Sequence, residues 1–129
     1  IYTWAGQFRM VNISKELLFC DVNFIEKELN KLFLKLKSEN YLKDCTEDNI
    51  ASKAAYYLGE INAIHPFREG NGRTQREFIR ELLLPTGFYV DYSRCNAKMM
   101  LYASINAFAG DYTLMTELFD KCIVRKPLN

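Results

Sequence analysis

The stretch HPFREGNGRTQR, residues 65–76, sets the layout of the chain, because it separates two predicted helices and carries the most reactive side chains. His65 is the only histidine of the protein, and an imidazole can accept a proton near neutral pH. The carboxylate of Glu69 is a hard oxygen ligand of the kind that Mg²⁺ prefers. One short segment therefore holds a candidate general base and a candidate metal ligand.

The second half of the stretch predicts an anion site. Gly70, Asn71 and Gly72 free the backbone to turn its N–H groups toward a negative charge. Arg73 and Arg76 add planar, permanently charged groups that suit phosphate oxygens. A glycine segment at the start of a helix also gains from the helix dipole. We expect a phosphate group to bind here.

A helix is predicted on each side of the stretch. The first has Thr46 as its N-cap and stops at His65, because the residue before a proline avoids the α region. Its apolar stripe is Ile50, Ala54, Leu58, Ile61 and Ile64. The second begins just after Gly72, covers residues 74–84 and places Arg73, Arg76 and Arg80 on one face. Its apolar positions are Phe78, Ile79, Leu82 and Leu83.

Three more helices complete the prediction of an all-α bundle, over residues 21–37, from 93 or 94 to 109, and 112–124. Residues 38–45 are predicted to be a polar connector, 88–92 a short link and Gly110 a helix end. The inward positions are Val22, Ile25, Leu29, Leu32, Phe33 and Leu36 in the first helix, Met99, Tyr102, Ile105 and Phe108 in the second, and Leu114, Met115, Leu118, Phe119, Cys122 and Ile123 in the third.

Residues 65–76 resemble the signature of the Fic family, His-Pro-Phe-x-(Asp/Glu)-Gly-Asn-Gly-Arg-x-x-Arg, at every fixed position. The resemblance, to bacterial Fic-type toxins and effectors, implies transfer of AMP from ATP to a Ser, Thr or Tyr hydroxyl of a target protein. It gives His65 the role of base and Glu69 that of ligand to a Mg²⁺ ion bridging the ATP phosphates. The simpler alternative is a tight turn between helices with a surface histidine and solvated arginines.

The resemblance also assigns the phosphate contacts. The N–H groups of residues 70–72 would cradle the phosphates, with Asn71 near the reacting centre, while Arg73 and Arg76 take the β- and γ-phosphates. A non-catalytic module that binds nucleotide or a partner, and an enzyme that transfers UMP or phosphocholine, remain alternatives. Tyr102 and Asn106 are candidates for adenine binding; core packing of Tyr102 and a solvated Asn106 are the other interpretation.

A β-hairpin is predicted near the N-terminus, with strands over residues 8–13 and 17–20. The opening Trp4-Ala5-Gly6 and this hairpin are similar to the corresponding part of Fic proteins, where a flap lies beside the active site. Its candidate target-docking residues are Val11, Ser14, Lys15 and Leu18. Such a flap would bind the target by strand addition; a simple loop is the alternative.

Fic enzymes are usually inhibited by a helix with the motif Ser/Thr-x-x-x-Glu-Gly/Asn, whose glutamate pairs with the second motif arginine, here Arg76. The only Glu-Gly or Glu-Asn pairs are at positions 39–40 and 69–70, and Lys35 and His65 precede them in place of Ser or Thr. We therefore expect an inhibitory helix outside residues 1–129, a separate antitoxin-like chain, or an unrestrained protein.

Composition limits the remaining function classes. The length of 129 residues predicts a single domain over residues 1–129. The net charge of +1 predicts no strongly basic surface that would bind nucleic acid. No signal peptide or membrane span is expected. The four cysteines, at positions 20, 45, 95 and 122, are predicted to be free thiols. We expect a cytoplasmic protein of a bacterium, or of a host cell if it is delivered as an effector.

Overall fold

The computed structural model describes residues 25–64 and 71–125, and at Asn71 the backbone only. The five helices of these ranges are α1 Ile25–Ser38, α2 Ile50–Ile64, α3 Asn71–Leu83, α4 Ala97–Phe108 and α5 Thr113–Cys122. Two short strands, β1 Phe88–Val90 and β2 Ile123–Arg125, form an antiparallel sheet. The predicted all-α bundle is confirmed. Trp4 and the predicted hairpin lie outside the described residues.

Helix α2 is the centre of the bundle and packs against the other four helices. All five positions of its predicted apolar stripe are buried, and Ala54 and Ala55 have no exposed surface. Alanine side chains at the middle of a helix allow neighbouring helices to approach closely. Because α2 ends at Ile64, the central helix of the bundle leads directly into His65.

Helix α1 covers one side of α2 through a stripe of leucine and isoleucine. Ile25, Leu29, Leu32 and Leu36 are buried, and the polar residues between them point to solvent. This spacing of three and four residues is that of an amphipathic helix. The prediction for this element is confirmed from Ile25 onward; Val22 lies outside the described residues.

The connector after α1 was predicted to be polar, but it contains a buried leucine. Asn40, Tyr41 and Leu42 all adopt positive φ angles, of 54°, 54° and 65°, and Leu42 is completely buried. The left-handed turn redirects the chain and places this leucine in the core. The prediction missed the turn because no glycine marks it.

Thr46 does not cap α2 itself. The helix begins four residues later, and the carbonyl of Thr46 accepts the N–H of Ile50 at 2.9 Å. The amide of Thr46 donates to Asn49 Oδ1 at 2.8 Å, and its hydroxyl accepts the N–H of Asp48 at 3.3 Å. Thr46 thus closes a separate turn in front of the helix.

The predicted inward face of α4 is wrong at two of its four positions, Tyr102 and Ile105. Tyr102 and Ile105 are 52% and 55% exposed, whereas Ala103 and Ala107 are buried. The helix carries apolar residues on every side, so their spacing does not single out one face. The alanine side lets α4 approach α2 and α5, which it contacts. Met99 and Met100 are partly buried beside that contact.

The boundaries of α4 also differ from the prediction. The helix starts at Ala97, because Asn96 caps it by accepting the N–H of Met99 at 2.8 Å. The residues before it, Tyr92–Arg94, form a 3₁₀ turn. At the other end Gly110, with φ at 96°, follows the helix as predicted.

The sheet replaces two predicted features. The segment after α3 forms β1 instead of a simple link, with Phe88 and Val90 buried and Tyr89 exposed. Helix α5 ends at Cys122, and the next residues form β2, so Ile123 lies in a strand and not in the predicted helix. Of the other inward positions of α5, Met115, Leu118, Phe119 and Cys122 are buried and Leu114 is 38% exposed. No helix within the described ranges is long and apolar enough to cross a bilayer.

Candidate active site

Helices α2 and α3 bracket the motif from both sides. The prediction was that α3 begins just after Gly72. The helix instead begins at Asn71, so Gly72 lies inside its first turn. His65, Glu69 and Gly70 lie outside the described residues, as does the side chain of Asn71. The described part of the candidate site is therefore the start of α3 and the surfaces that face it.

Gly72 makes room for the guanidinium group of Arg76. A Cβ atom placed on Gly72 would lie 3.1 Å from Arg76 Nη1 and 3.8 Å from its Cζ. The charged end of Arg76 therefore folds back over the first turn of α3, where the free N–H groups of the helix also favour an anion. The helix start and the guanidinium reinforce each other as a site for negative charge.

Arg76 is half-buried and its backbone is held in place. The hydroxyl of Tyr92 donates a hydrogen bond to the Arg76 carbonyl at 2.8 Å. Burial raises the pKa of Tyr92, and the nearby charge of Arg76 acts in the opposite direction. Within residues 25–64 and 71–125, the Arg76 guanidinium forms no ion pair with a carboxylate. Among the described residues, no carboxylate therefore competes with a ligand for its charge.

A cavity of about 440 Å³ has Arg76 in its wall. One part of its wall is apolar, from Met100 and Leu101, and another is polar, from Asn96 and Ser104. Its full lining is Arg76, Tyr92, Cys95, Asn96, Ala97, Met100, Leu101 and Ser104. A cavity of this size, mostly apolar with a few polar groups, suits a small organic ligand that carries an anionic end.

The three arginines of α3 differ in their surroundings. Arg73 is exposed, and Arg76 faces the cavity. Arg80 pairs with Glu77, to which its Nε donates at 3.0 Å, and this contact raises the pKa of the guanidinium. Of the three, only Arg80 forms an ion pair among the described residues.

The candidate adenine residues lie elsewhere on α4. Tyr102 lines a separate apolar groove between α4 and α5, together with Met99 and Leu114. Asn106 is half-buried, and its carbonyl accepts the N–H of Asp111 at 2.9 Å. Neither residue is among those that line the Arg76 cavity. The structure therefore adds no support for adenine binding by Tyr102 and Asn106, which stays a prediction.

The α4 residues that line the cavity with Arg76 were not predicted from the sequence. Met100, Leu101 and Ser104 follow Asn96 at helical spacing, so recognising Asn96 as the cap would have set the start of α4. It would not have identified the face of α4 that points inward, because Tyr102 and Ile105 are also large candidates for the interior.

A second group missed by the sequence analysis joins α5 to the motif-bearing end of α2. The hydroxyl of Tyr112 donates to Glu60 Oε2 at 2.5 Å, and its ring lies directly over Gly59. Burial raises the pKa of Tyr112, and the bond to Glu60 raises it further. Only glycine at position 59 leaves space for the ring, which fixes the last turns of α2 before His65.

The chain resembles named proteins over most of its length. Residues 1–83 match the model of the Fic/DOC family. The probable protein adenylyltransferase y4lH of Sinorhizobium fredii is 43% identical over 113 residues, which are 86% of this chain and 59% of y4lH. The protein adenylyltransferase VbhT of Bartonella schoenbuchensis is 37% identical over 130 residues, covering 100% of this chain and 27% of VbhT.

The fold agrees with solved structures. BepC of Bartonella tribocorum, a VirB-translocated effector crystallised with bound AMPPNP, superposes with a TM-score of 0.81 at 33% identity. The superposition covers 84% of this chain and 52% of the BepC chain. The chain spans only part of its relatives' length, 59% of y4lH and about a quarter of VbhT. Sequence and fold agree, and the chain belongs to the Fic/DOC family.

Proposed function

We propose that the protein transfers AMP from ATP to a Ser, Thr or Tyr hydroxyl of a target protein and releases pyrophosphate. The observation that carries this proposal is Arg76, whose guanidinium lies over the first turn of α3 and which lines a cavity of about 440 Å³. The names of the relatives, protein adenylyltransferases, and the AMPPNP bound to BepC support the same activity.

The start of α3 supports the proposal that the protein binds the triphosphate of ATP. Arg76 and the N–H groups at the start of α3 would hold the γ-phosphate, and Arg73 the β-phosphate. Gly70, Asn71 and Gly72 would contribute further backbone donors. Binding both outer phosphates fixes the position of the α-phosphorus and places positive charge where the pyrophosphate leaves.

His65 is the proposed base. The target hydroxyl attacks the α-phosphorus, its proton passes to the imidazole, and the bond from the α-phosphorus to the bridging oxygen breaks. His65 is the only imidazole in the protein, and it follows a helix whose last turns are fixed by the Tyr112 contact. A rigid attachment keeps a catalytic group in position.

Glu69 is the proposed ligand of a magnesium ion. Its carboxylate has the oxygen chemistry that Mg²⁺ requires, and phosphate oxygens and water commonly supply the remaining ligands. The ion would neutralise charge on the phosphates. The predicted hairpin, with residues Val11, Ser14, Lys15 and Leu18, is proposed to position the target protein by main-chain pairing.

An inhibitory partner is proposed for the same guanidinium. Arg76 faces an open cavity and forms no ion pair among the described residues, so a glutamate from another segment or chain has access to it. Such a glutamate would occupy the γ-phosphate position. The isolated 129-residue chain would then be active without further treatment.

The test is incubation of a cell lysate with the protein and either α-labelled ATP or α-labelled UTP. We expect labelled target protein with ATP and loss of label, by ~10²–10⁴-fold in rate, in His65→Ala. Calorimetry should find the ATP affinity of this variant close to wild type. Label only from UTP would indicate UMP transfer, and ATP binding without any label would indicate a binding module; either result overturns the proposal.

A further inference from the structure

The hydroxyl of Tyr92 links the turn before α4 to the backbone of Arg76. It donates to the Arg76 carbonyl at 2.8 Å. Inside α3 the same carbonyl also accepts the N–H of the residue four positions later. A carbonyl oxygen has two lone pairs, so both bonds can form together. The phenol therefore adds an anchor from outside the helix at the residue whose guanidinium lies over the helix start.

Tyr92 is itself held from the side of α5. Its ring packs against Phe119, with the centroids 6.4 Å apart and the planes at 65°, and Phe119 is completely buried. The Tyr92 carbonyl accepts the N–H of Cys95 at 3.2 Å and its free thiol at 3.4 Å. The N–H of Asp91 donates to the Cys122 carbonyl at 2.7 Å. These contacts make the tyrosine a fixed point for α3.

The packing of the ring does not explain why the residue is a tyrosine. A phenylalanine would fill the same space against Phe119, and a hydroxyl costs free energy on burial unless it finds a partner. Burial raises the pKa of Tyr92, so the phenol is protonated at neutral pH and acts as a donor. The described acceptor of its proton is the Arg76 carbonyl.

The position of the Arg76 guanidinium depends on the turn of α3 that carries it. A Cβ atom on Gly72 would lie 3.1 Å from Arg76 Nη1, so the charged group occupies the space over the first turn. Helix ends fray, and Arg76 lies only five residues after the start of α3. A carbonyl bonded from outside limits rotation of that turn, and thus keeps the guanidinium in place before a ligand binds.

We propose that Tyr92 is a positioning residue for the γ-phosphate of ATP, because its hydroxyl fixes the backbone of Arg76. The inference rests on the proposed function, in which the Arg76 guanidinium holds the γ-phosphate. ADP has no γ-phosphate. The hydroxyl should therefore contribute to the affinity for ATP and not to the affinity for ADP.

The test is calorimetric titration of the whole 129-residue protein and of Tyr92→Phe with ATP and with ADP. The variant keeps the ring, and we expect it to weaken ATP binding by about 2- to 10-fold, the usual range for one hydrogen bond, with ADP binding unchanged. Tyr57→Phe is the matched control. It removes another buried hydroxyl, which donates to Glu39 between α1 and α2, and should change neither affinity. Thermal unfolding checks that each variant is folded during the titration.

Arg76→Ala, alone and combined with Tyr92→Phe, separates this inference from the proposed function. If the hydroxyl acts through Arg76, the double variant should bind ATP no more weakly than Arg76→Ala. Weaker ATP binding in Arg76→Ala without any in Tyr92→Phe, equal weakening of ATP and ADP in Tyr92→Phe, or additive losses would overturn the role of Tyr92 alone. Unchanged ATP binding in Arg76→Ala would overturn the proposed phosphate site as well.

Discussion

Arg76 and Arg80 lie one turn apart on α3, but only Arg80 has a carboxylate partner among the described residues. If Arg76 binds a phosphate, Arg76→Ala should lose about 1.5–3 kcal/mol of ATP binding, the usual contribution of a charged hydrogen bond. Arg76→Lys should recover part of it, because a point charge lacks the planar fork.

Arg80→Ala is the matched control for that measurement. It removes the same side chain from the same helix, but a half-exposed ion pair contributes at most about 1 kcal/mol to stability. Calorimetric titration with ATP should therefore leave Arg80→Ala close to wild type. Equal weakening in the two variants would place the phosphate site elsewhere.

The left-handed turn at Asn40 gives a prediction about stability. Asn40 has φ at 54°, a conformation that costs about 1–2 kcal/mol for an ordinary residue and less for asparagine. Asn40→Val should lower the free energy of unfolding by about that amount. Asn30→Val, at an exposed position of α1, should change it by less than about 0.5 kcal/mol. Urea denaturation compares them, and similar losses would show that the turn is unstrained.

At single residues, the sequence was most informative where chemistry requires a particular side chain. The imidazole, the carboxylate and the arginines of residues 65–76 could be identified from their types and spacing alone. The left-handed conformation of Asn40, Tyr41 and Leu42 could not. Burial of Leu42 holds that turn, and the partners of a buried side chain are known only after the chain has folded.

At Gly59 of helix α2, replacement by alanine is expected to destabilise the protein, opposite to its usual effect inside a helix. Replacing glycine by alanine inside a helix normally stabilises it by about 1 kcal/mol. At Gly59 the added Cβ would lie 2.3 Å from Tyr112 Cε1, and forced overlap typically costs about 1–3 kcal/mol. We expect Gly59→Ala to destabilise the protein in chemical denaturation.

Two further variants separate overlap from other causes. Ser52→Ala, on the exposed side of the same helix, should be neutral or slightly stabilising. Combining Gly59→Ala with Tyr112→Ala should cost less than the sum of the single changes, because the overlap disappears. Additive effects would mean that the ring does not limit position 59.

The contacts of Glu39, between α1 and α2, predict that the free energy of unfolding depends on pH. Burial would raise the pKa of the Glu39 carboxyl, but hydrogen bonds from Lys53, at 2.5 Å, and Tyr57 outweigh it and lower the pKa below its ordinary value of 4.5. A lowered pKa means that the charged carboxylate stabilises the folded state above pH 4.5 and that this contribution is lost as the pH falls further.

Glu39→Gln should therefore lose less stability than the wild type between neutral pH and about pH 3. Glu26→Gln, at an exposed position of α1, controls for the change in net charge. The measurement is the free energy of unfolding in urea at a series of pH values. Parallel curves for wild type and Glu39→Gln would contradict the assigned bonds.

At the level of elements, periodicity predicted helices well where one side of the helix is polar. The stripe of α1 and the buried positions of α3, Phe78, Ile79, Leu82 and Leu83, agree with their spacing. In α4 the same method chose Tyr102 and Ile105 for the interior, since the helix has no polar side. Close contact with α2 and α5 favours the alanines instead, and that choice depends on the neighbours.

For the whole molecule, a helical bundle followed from the number and length of the apolar stripes. The sheet did not, because three-residue strands are too short to show a pattern, and β1 meets β2 only after α4 and α5 have packed. The cavity beside Arg76 has the same origin: its walls come from α3, the turn before α4 and α4 itself, so no local stretch predicts it.

The pairing of β1 with β2 has a consequence for the order of folding. Phe88 pairs with Arg125 across the whole of α4 and α5, so we expect the ladder to form after those helices dock and to be absent from the folding transition state. Val124→Ala should then speed unfolding and leave the refolding rate unchanged, whereas Ala54→Gly in the central helix should slow refolding. Stopped-flow kinetics over a range of denaturant would distinguish them, and a slower refolding of Val124→Ala would refute this order. The lifetime of the folded protein would then depend on the strand that pairs last.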